Sequence, residues 1–307
     1  MTFSLTILGS SSATPAYGRH PTAQLLNVQE QLFLIDCGEG TQMRLLNHKI
    51  KRNKIQHIFI SHLHGDHCYG LFGLLGTFSL YGRTEPMHIF APKGLQEMFE
   101  TVLKHSAEGK PASFPIYFHD TDTEKHQLIF ENDVLTVHSI PLQHRIACAG
   151  FLFREKPLPR NIRIEQISKY AIHYTEIKAI KNGTDFFYQP ENRWIKNEDL
   201  TDDPAAPRSY AFCSDTRYKP DIIPIIQGVD LLYHEATFLK DSTVRAEETC
   251  HSTTHQAAEI AKAAQVKRLI IGHFSSRYSD LQPHKNEACE VFAESYLATE
   301  NEIFTVK

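Results

Sequence analysis

The chain has 307 residues, of which 41% are hydrophobic and 22% charged, and its formal net charge is −4. This ordinary globular composition excludes disorder along the whole chain, and no apolar run approaches the roughly 20 residues that span a bilayer. An acidic balance does not exclude a nucleic-acid partner, but it requires the positive charge to be gathered in a patch.

Short apolar runs punctuated by turns open the chain. Phe3–Leu8, Ala23–Val28 and Gln31–Ile35 read as strands, Gly38–Leu46 as a turn into a helix, and Ile55–Ile60 as a buried strand. His67–Leu80 and Lys93–His105 carry helical spacing on either side of a strand at Met87–Phe90. Gln127–Phe130 and Val134–Ile140 pair around Glu131-Asn132-Asp133, and Gly150–Phe153 continues the sheet. From Arg154 to about Pro207 the chain is polar, broken by prolines and without a sustained period, which predicts an inserted arm. Alternation then resumes. Strands are predicted at Tyr210–Cys213, Asp230–Tyr233, Arg268–Ile271 and Ile303–Val306, and helices at Lys219–Gln227, Thr254–Ala264 and Pro283–Phe292. Mixed strands and helices along the whole length favour a layered α/β sandwich. The six cysteines form no C-x-x-C pair and no secretory leader is evident, so reduced thiols and a cytoplasmic protein are expected.

Eighteen histidines are many for this length, and they concentrate usefully. Ser61-His62-Leu63-His64-Gly65-Asp66-His67 follows the strand Ile55–Ile60 directly, so four potential ligands share one turn between a strand and a helix. A turn lets side chains converge while the elements behind it hold them, and histidine with carboxylate is the donor set zinc takes in open, catalytic sites. A polar loop whose histidines merely cluster is the alternative, and H-x-H-x-D-H is dense enough to make it the weaker one.

This motif resembles the metallo-β-lactamase superfamily, and the resemblance implies a four-layer αββα sandwich holding two zinc ions per chain. Its further ligands would come from later strand ends, at His144, Asp215 and His273. By resemblance His62, His64 and His144 hold one zinc, Asp66, His67 and His273 the other, and Asp215 bridges them. Residues 1–307 would form one such domain, with the arm at about 152–188.

Fold alone does not choose among lactamases, thioesterases, phosphodiesterases and nucleases. Three segments resemble the ribonuclease Z family. Tyr233-His234-Glu235-Ala236-Thr237 and Cys250-His251-Ser252-Thr253-Thr254 match its H-E-A-T and H-S-T motifs, which implies that His251, oriented by Glu235, supports the leaving oxygen, while Ser252 or Thr253 can also cap the following helix. Asp36-Cys37-Gly38-Glu39-Gly40-Thr41-Gln42 matches another motif, and its glycines also suit a strand-to-helix turn. The arm resembles a tRNA clamp. Between Leu152 and Gly183 it has seven basic residues (Arg154, Lys156, Arg160, Arg163, Lys169, Lys178 and Lys181) against three acids. A solvated loop with scattered lysines is the plain alternative. Where many family arms have a Gly-Pro pair, this sequence reads Ala171-Ile172-His173-Tyr174.

The resemblance therefore implies an endoribonuclease that trims the 3′ trailer from precursor tRNA, leaving a 3′-hydroxyl on the tRNA and a 5′-phosphate on the trailer. Asp66 would orient the attacking water and take its proton. The arm residues Arg154, Lys156, Arg160, Arg163, Lys178 and Lys181 would bind substrate, aided by a basic stretch including Arg44, Lys49, Lys51, Arg52 and Lys54, within a homodimer. A small-molecule phosphodiesterase or thioesterase on the same fold, and a zinc-dependent RNA-binding protein without catalysis, stay open as rivals at this point.

Overall fold

The structure is a computed structural model that describes residues 2–106 and 112–307. Chain contacts divide it into a body, 1–154 with 208–307, and an inserted unit, 155–207.

The body begins with β1 (Phe3–Gly9), β2 (Ala23–Val28) and β3 (Gln31–Cys37), an antiparallel meander, followed by α1 (Thr41–Asn47). Then β4 (Ile55–Phe59), α2 (Gly65–Leu80), β5 (Met87–Ala91), α3 (Leu95–Ser106) and β6 (Ile116–Asp120) add parallel strands through helical crossovers. β7 (Leu128–Glu131), β8 (Leu135–Pro141) and β9 (Ala149–Glu155) start a second sheet.

Four short strands lie in the inserted unit: β10 (Asn161–Ile162), β11 (Phe186–Tyr188), β12 (Arg193–Ile195) and β13 (Thr201–Asp202). After it, β14 (Ser209–Cys213), β15 (Leu231–Glu235), β16 (Leu269–Gly272) and β17 (Ser295–Leu297) complete the second sheet in parallel. β18 (Ile303–Thr305) returns to pair with β1. The first sheet runs β18-β1-β2-β3-β4-β5-β6 and the second β17-β16-β15-β14-β9-β8-β7, seven strands each.

Period-two alternation in the strands creates two separate cores. In β3, Phe33 and Ile35 join the cluster between the sheets, while Leu32, Leu34 and Cys37 join the cluster under α1, α2 and α3. The inter-sheet cluster includes Phe59, Phe151, Phe153 and Phe212, and on its far side it takes in Ala257, Ala261 and Ala288 of later helices. This is the expected helix–sheet–sheet–helix layering. Helix α2 lies very close to the end of β3, because a Cβ on Gly70 would stand 2.1 Å from the carbonyl oxygen of Gly38. A Cβ on Gly38 would likewise stand 2.3 Å from the carbonyl oxygen of Asp66, so glycine at both positions lets α2 approach the segment.

Two expectations are corrected. Residues 219–227 form only a single 3-10 turn at Pro220–Ile222, because Pro224, which has no N–H to donate, breaks the backbone ladder, whereas Pro220 at the first position only starts it. The strands β6 and β17 and the helix Thr243–Thr249 lack a legible period in the sequence. All six cysteines are free thiols, and five are buried. Among the described residues no helix is long and apolar enough to cross a membrane.

The inserted unit is folded rather than irregular, and it extends past 188 to Pro207. α4 (Ile164–Lys169), α5 (Tyr174–Lys181) and α6 (Asn197–Leu200) pack with the antiparallel pair β10–β13 and the hairpin β11–β12 around Tyr170, Ile172, Ile180, Ile195 and Leu200. Buried Asn197 ties its loops, donating from Nδ2 to the carbonyls of Ile180 at 2.6 Å and Thr184 at 2.9 Å. The Ala171–Tyr174 stretch that stands in place of Gly-Pro is the turn between α4 and α5. Ala171 takes a left-handed φ of 47° there and Ile172 plugs the small core.

A ladder of imidazoles crosses the first sheet. His57 stacks on His88 at 5.5 Å between centroids and His88 on His119 at 5.3 Å, with His88 Nδ1 and His119 Nε2 3.0 Å apart. Apolar Phe33 and Phe130 are the other neighbours of His57. Burial, then the two neighbouring imidazoles, lowers His57 from its ordinary 6.5 to about 4. A histidine depressed in the folded state contributes stability that is fully present above its unfolded pKa and lost as pH falls through the folded one. His57→Phe should therefore flatten the loss of stability between pH 6.5 and 4 by about 2 kcal/mol relative to the unaltered protein, read from denaturant midpoints at each pH. Parallel curves for the two proteins would show that His57 carries no such linkage.

Candidate metal centre

The seven candidate ligands and Glu235 all sit at or just beyond the carboxyl end of a strand. β4 delivers Ser61, His62 and His64, and His64 is the N-cap residue of α2, whose first turn carries Asp66 and His67. β8 leads to His144, β14 to Asp215, and β16 to His273, while Glu235 is the last residue of β15. Because β14, β15 and β16 are parallel neighbours in register, their ends meet on one rim.

The ligand atoms of His62, His64, His144 and Asp215 lie within 4.8 Å of one another, as do those of Asp66, His67 and His273. Asp215 belongs to both neighbourhoods through different oxygens. Oδ2 is 3.6 Å from His62 Nε2 and 3.7 Å from His144 Nε2. Oδ1 is 3.4 Å from His67 Nε2 and 3.3 Å from His273 Nε2. Asp66 Oδ2 is 3.5 and 3.4 Å from those same two nitrogens. The structure thus brings together all seven side chains singled out from the sequence as ligands.

Hydrogen bonds on the outer ring nitrogens decide whether a cation fits. His144 Nδ1 faces the carbonyl of Cys250 at 2.9 Å, and a carbonyl only accepts, so Nδ1 carries the proton and Nε2 of the neutral ring turns a lone pair inward. His67 Nδ1 faces Asp36 Oδ2 at 2.7 Å with the same consequence. Inward nitrogens then crowd one another: His62 Nε2 and His64 Nδ1 are 3.0 Å apart, His144 Nε2 and His64 Nδ1 3.2 Å, and His67 Nε2 and His273 Nε2 3.2 Å. Asp215 Oδ1, fully buried, has no hydrogen-bond donor. Converging lone pairs around an orphaned carboxylate oxygen are the donor set of a divalent metal, and these residues fit one.

Electrostatics agree. Burial, followed by His67, holds His62 far below its ordinary pKa, and burial likewise lowers His64 and His144. Burial would raise Asp66 and Asp215, but the surrounding histidines pull both well below the ordinary carboxylate value. Burial would lower His67, yet Asp215, Asp66 and Asp36 raise it. Without a cation, a proton on His67 offsets part of this buried carboxylate charge; a bound cation would take that proton's place and leave His67 Nε2 a lone pair.

His251 stands beside the cluster, 3.9 Å from Asp215 Oδ2, with Nδ1 3.0 Å from Glu235 Oε1. Glu235 is completely buried and accepts from the backbone N–H groups of Thr216, Ser252 and Thr237 and from the Thr237 hydroxyl. Burial alone would lower His251, but Glu235 and then Asp215 lift it to about 9. The backbone fixes its place: Cys250 ends the helix Thr243–Thr249 in the left-handed region at φ 60°, and Thr253 closes a capping box with Gln256 at the start of the next helix. Helix capping and site geometry are thus both satisfied by the one H-S-T segment.

Sequence reasoning missed four supporting groups. Asp36, with a left-handed φ of 55°, accepts from Ser61 N at 2.7 Å, Ser61 Oγ at 2.9 Å and His67. Ser61 Oγ also lies 3.0 Å from His62 Nδ1 and 2.9 Å from Ser214 Oγ. Thr237 Oγ1 lies 2.9 Å from His273 Nδ1. The only signal for Asp36 was its place at the head of the 36–42 segment. His273 itself has φ 60°, so both the ligand and its supporter sit in a backbone region that non-glycine residues rarely occupy.

The proposed substrate-contacting cations are distributed unequally. Arg154 is exposed on β9. Within the inserted unit Arg160 pairs with Asp203 and Thr201, and Arg163 with Asp202 at 2.8 Å. Over 155–207 there are eight basic and nine acidic residues, so the positive excess seen in the first part of the arm is offset by its second part. Lys178 and Lys181 on α5 have no ion pair among the described residues. In the body, Arg44 is buried, donating to Leu8 O at 3.0 Å and Asn301 at 2.6 Å, and so is not available as part of a basic docking stretch.

Two stacked seven-stranded sheets with this histidine–aspartate rim, whose side chains could hold metal, define a protein of the metallo-β-lactamase fold. The solved structure of human tRNase Z, short form, superposes with a TM-score of 0.71 at 25% identity, covering 99% of each chain. The metallo-β-lactamase fold protein YhfI from Bacillus subtilis gives 0.70 at 16% identity, covering 99% of this chain and 100% of that one, a likeness of fold alone. A ribonuclease Z from Bacteroides thetaiotaomicron is 48% identical over 304 residues, 99% of this chain and 95% of that protein. One from Cytophaga hutchinsonii is 45% identical over 306 residues, 100% of this chain and 97% of that protein. The chain belongs to the ribonuclease Z family, and its residues 3–164 also match the family described as anti-Pycsar protein Apyc1.

Asp36 fixes the tautomer of His67. Asp36→Asn would set an amide N–H against His67 Nδ1, or leave that nitrogen without an acceptor, and turn the ring proton toward the metal side. Metal affinity should fall about 10- to 100-fold, as measured by titration against a competing chelator. Unchanged affinity would show that Asp36 does not govern the His67 tautomer.

Proposed function

We propose that this chain is a zinc-dependent endoribonuclease that removes the 3′ trailer from precursor tRNA. The carrying observation is the placing of Asp215 between two donor sets, with a carboxylate-held histidine 3.9 Å away. Full-length kinship with ribonuclease Z supports the substrate. In this reading His62, His64 and His144 would hold one zinc ion and Asp66, His67 and His273 a second, with Asp215 shared between the two sets. Bound there, the ions supply Lewis-acid stabilisation of phosphoryl charge and ready deprotonation of water.

The protein's own groups do the rest. Asp66, whose Oδ2 also receives the backbone N–H of Ala13 at 2.7 Å, orients the attacking water and takes its proton. The water oxygen bonds to phosphorus and the P–O3′ bond breaks. His251, its Nδ1 held by Glu235, gives a proton to the departing 3′-oxygen. The tRNA thus leaves with a 3′-hydroxyl and the trailer with a 5′-phosphate. Lys178 and Lys181 lead the arm's contact with tRNA phosphates, with Arg154, Lys156, Arg160 and Arg163 completing it. We further assign the protein to the cytoplasm as a homodimer. Kinship with ribonuclease Z supports this, and the exposure of Met43, Leu46, Leu80 and Tyr81 on and beside α1 and α2 supports the dimer.

End-mapping of a cut precursor tests the reaction: 5′-phosphorylated trailers are expected, and 3′-phosphorylated tRNA would overturn the P–O3′ assignment. His251→Ala should slow single-turnover cleavage by about 10²- to 10⁴-fold while tRNA binding persists, and equal rates would remove His251 from the mechanism. The arm enters between β9 and β14, which pair directly at Arg154 and Ser209, so residues 156–207 can be replaced by a short turn. That variant should lose precursor cleavage yet still hydrolyse a chromogenic phosphodiester. Full retention of tRNA cleavage would favour the small-substrate phosphodiesterase. Lys178→Ala and Lys181→Ala should each lower the salt slope of tRNA binding by about one, and an unchanged slope would take them off the phosphate path.

A further inference from the structure

The cavity over the metal ligands, about 400 Å³, is also lined by Ser12, Ala13, Pro21, Glu39, Tyr69 and Arg145. Tyr69 is the one aromatic side chain in this set other than the histidines. It is 59% exposed, and it also borders an adjoining groove of about 620 Å³ formed with Phe72, Met98 and Val102.

The ring is placed by the same turn that presents the ligands. Tyr69 follows Asp66 by three residues and Gly65 by four on α2. Helical side chains lean toward the N-terminus, so the ring lies back over Gly65. A Cβ on Gly65 would stand 2.6 Å from two ring carbons, so only glycine at that position leaves the ring its seat. An aromatic ring is therefore held at the edge of the reaction cavity, on the rigid start of the helix that carries Asp66 and His67. Arg145, also at the cavity and exposed, anchors its Nε on the carbonyl of Thr249 at 3.2 Å, which leaves its terminal nitrogens for a phosphate.

An exposed aromatic face beside a phosphodiester-cleaving centre suits an unpaired nucleobase, because single-stranded RNA is gripped by stacking its splayed bases on aromatic rings. A second protein chain covering Tyr69 would instead close the mouth of the cavity that the same ring lines. We propose that Tyr69 is the stacking platform for a nucleobase flanking the scissile phosphate, with Arg145 holding an adjacent phosphate. This rests on the endoribonuclease reading above and names the part of the substrate that the site grips.

The test is single-turnover cleavage of precursor tRNA by the unaltered protein, Tyr69→Phe and Tyr69→Ala. Three substrates are compared: intact, abasic at the nucleotide before the cut bond, and abasic at the nucleotide after it. On the intact substrate Tyr69→Phe should match the unaltered protein and Tyr69→Ala should lose about five- to a hundred-fold in kcat/KM. One of the two abasic substrates should show the same loss with the unaltered protein and no further loss with Tyr69→Ala, and which one does so identifies the stacked base. An equal loss on all three substrates marks a merely structural role and overturns the proposal. So does an undiminished Tyr69→Ala, or a Tyr69→Ala defect accompanied by a smaller sedimenting species, which would place the ring in an interface between copies. If the unaltered protein leaves precursor tRNA uncut, the endoribonuclease reading fails, and this proposal falls with it before any variant is compared.

Discussion

Crowding of inward lone pairs around one buried carboxylate is the constraint on which the structure depends. Asp215 is buried to within 2% of full enclosure, and one of its oxygens has no hydrogen-bond donor. Nitrogens 3.0 to 3.2 Å apart point at one another across the rim. A buried carboxylate oxygen without a donor and facing lone pairs are both costly in a low-dielectric interior, and cations remove both costs together. The fold must deliver this arrangement from four strand ends, those of β4, β8, β14 and β16, and hold it against that repulsion.

The holding is done from outside the cluster. Asp36 and the carbonyl of Cys250 take the outer protons of His67 and His144, while Ser61 and Thr237 meet His62 and His273. Glu235 gathers donors from three segments, at Thr216, Thr237 and Ser252, and turns the remaining capacity on His251. These partners lock ring orientation and tautomer, so the inward geometry does not depend on the flexibility of any single loop. Left-handed backbone at Asp36, Cys250 and His273 is strain tolerated because the two packed cores on either side over-determine the position of each strand end.

The inserted unit follows a different logic. Its core is small and of its own making, and much of its charge is spent internally, as Arg160–Asp203, Arg163–Asp202 and Lys196–Asp185 show. A surface that binds phosphates through a few unpaired lysines on one helix can do so although the unit has no net positive charge, since counterion release depends on the cations at the contact.

The metal turn was legible in the sequence as a dense local pattern after a short apolar run, whereas the strand-end residues His144, Asp215 and His273 and the H-E-A-T and H-S-T segments were legible only through resemblance to known families. The four layers were implied by the resemblance, and mixed strands and helices along the chain pointed only to a layered α/β sandwich. What only the tertiary structure decided was pairing over distance: that Asp36 serves His67 thirty-one residues away, that Arg44 is buried on Leu8 and Asn301 rather than offered to a substrate, and that Asp215 turns one oxygen to each donor set. The arm's core was hidden for a related reason. Ile162, Ile167, Ile172 and Ile177 recur every five residues, which fits neither a helix nor a strand, and they form one core only once turns and short helices fold them inward. Periodicity reports a residue's own element; burial and hydrogen bonding between elements are set when those elements meet.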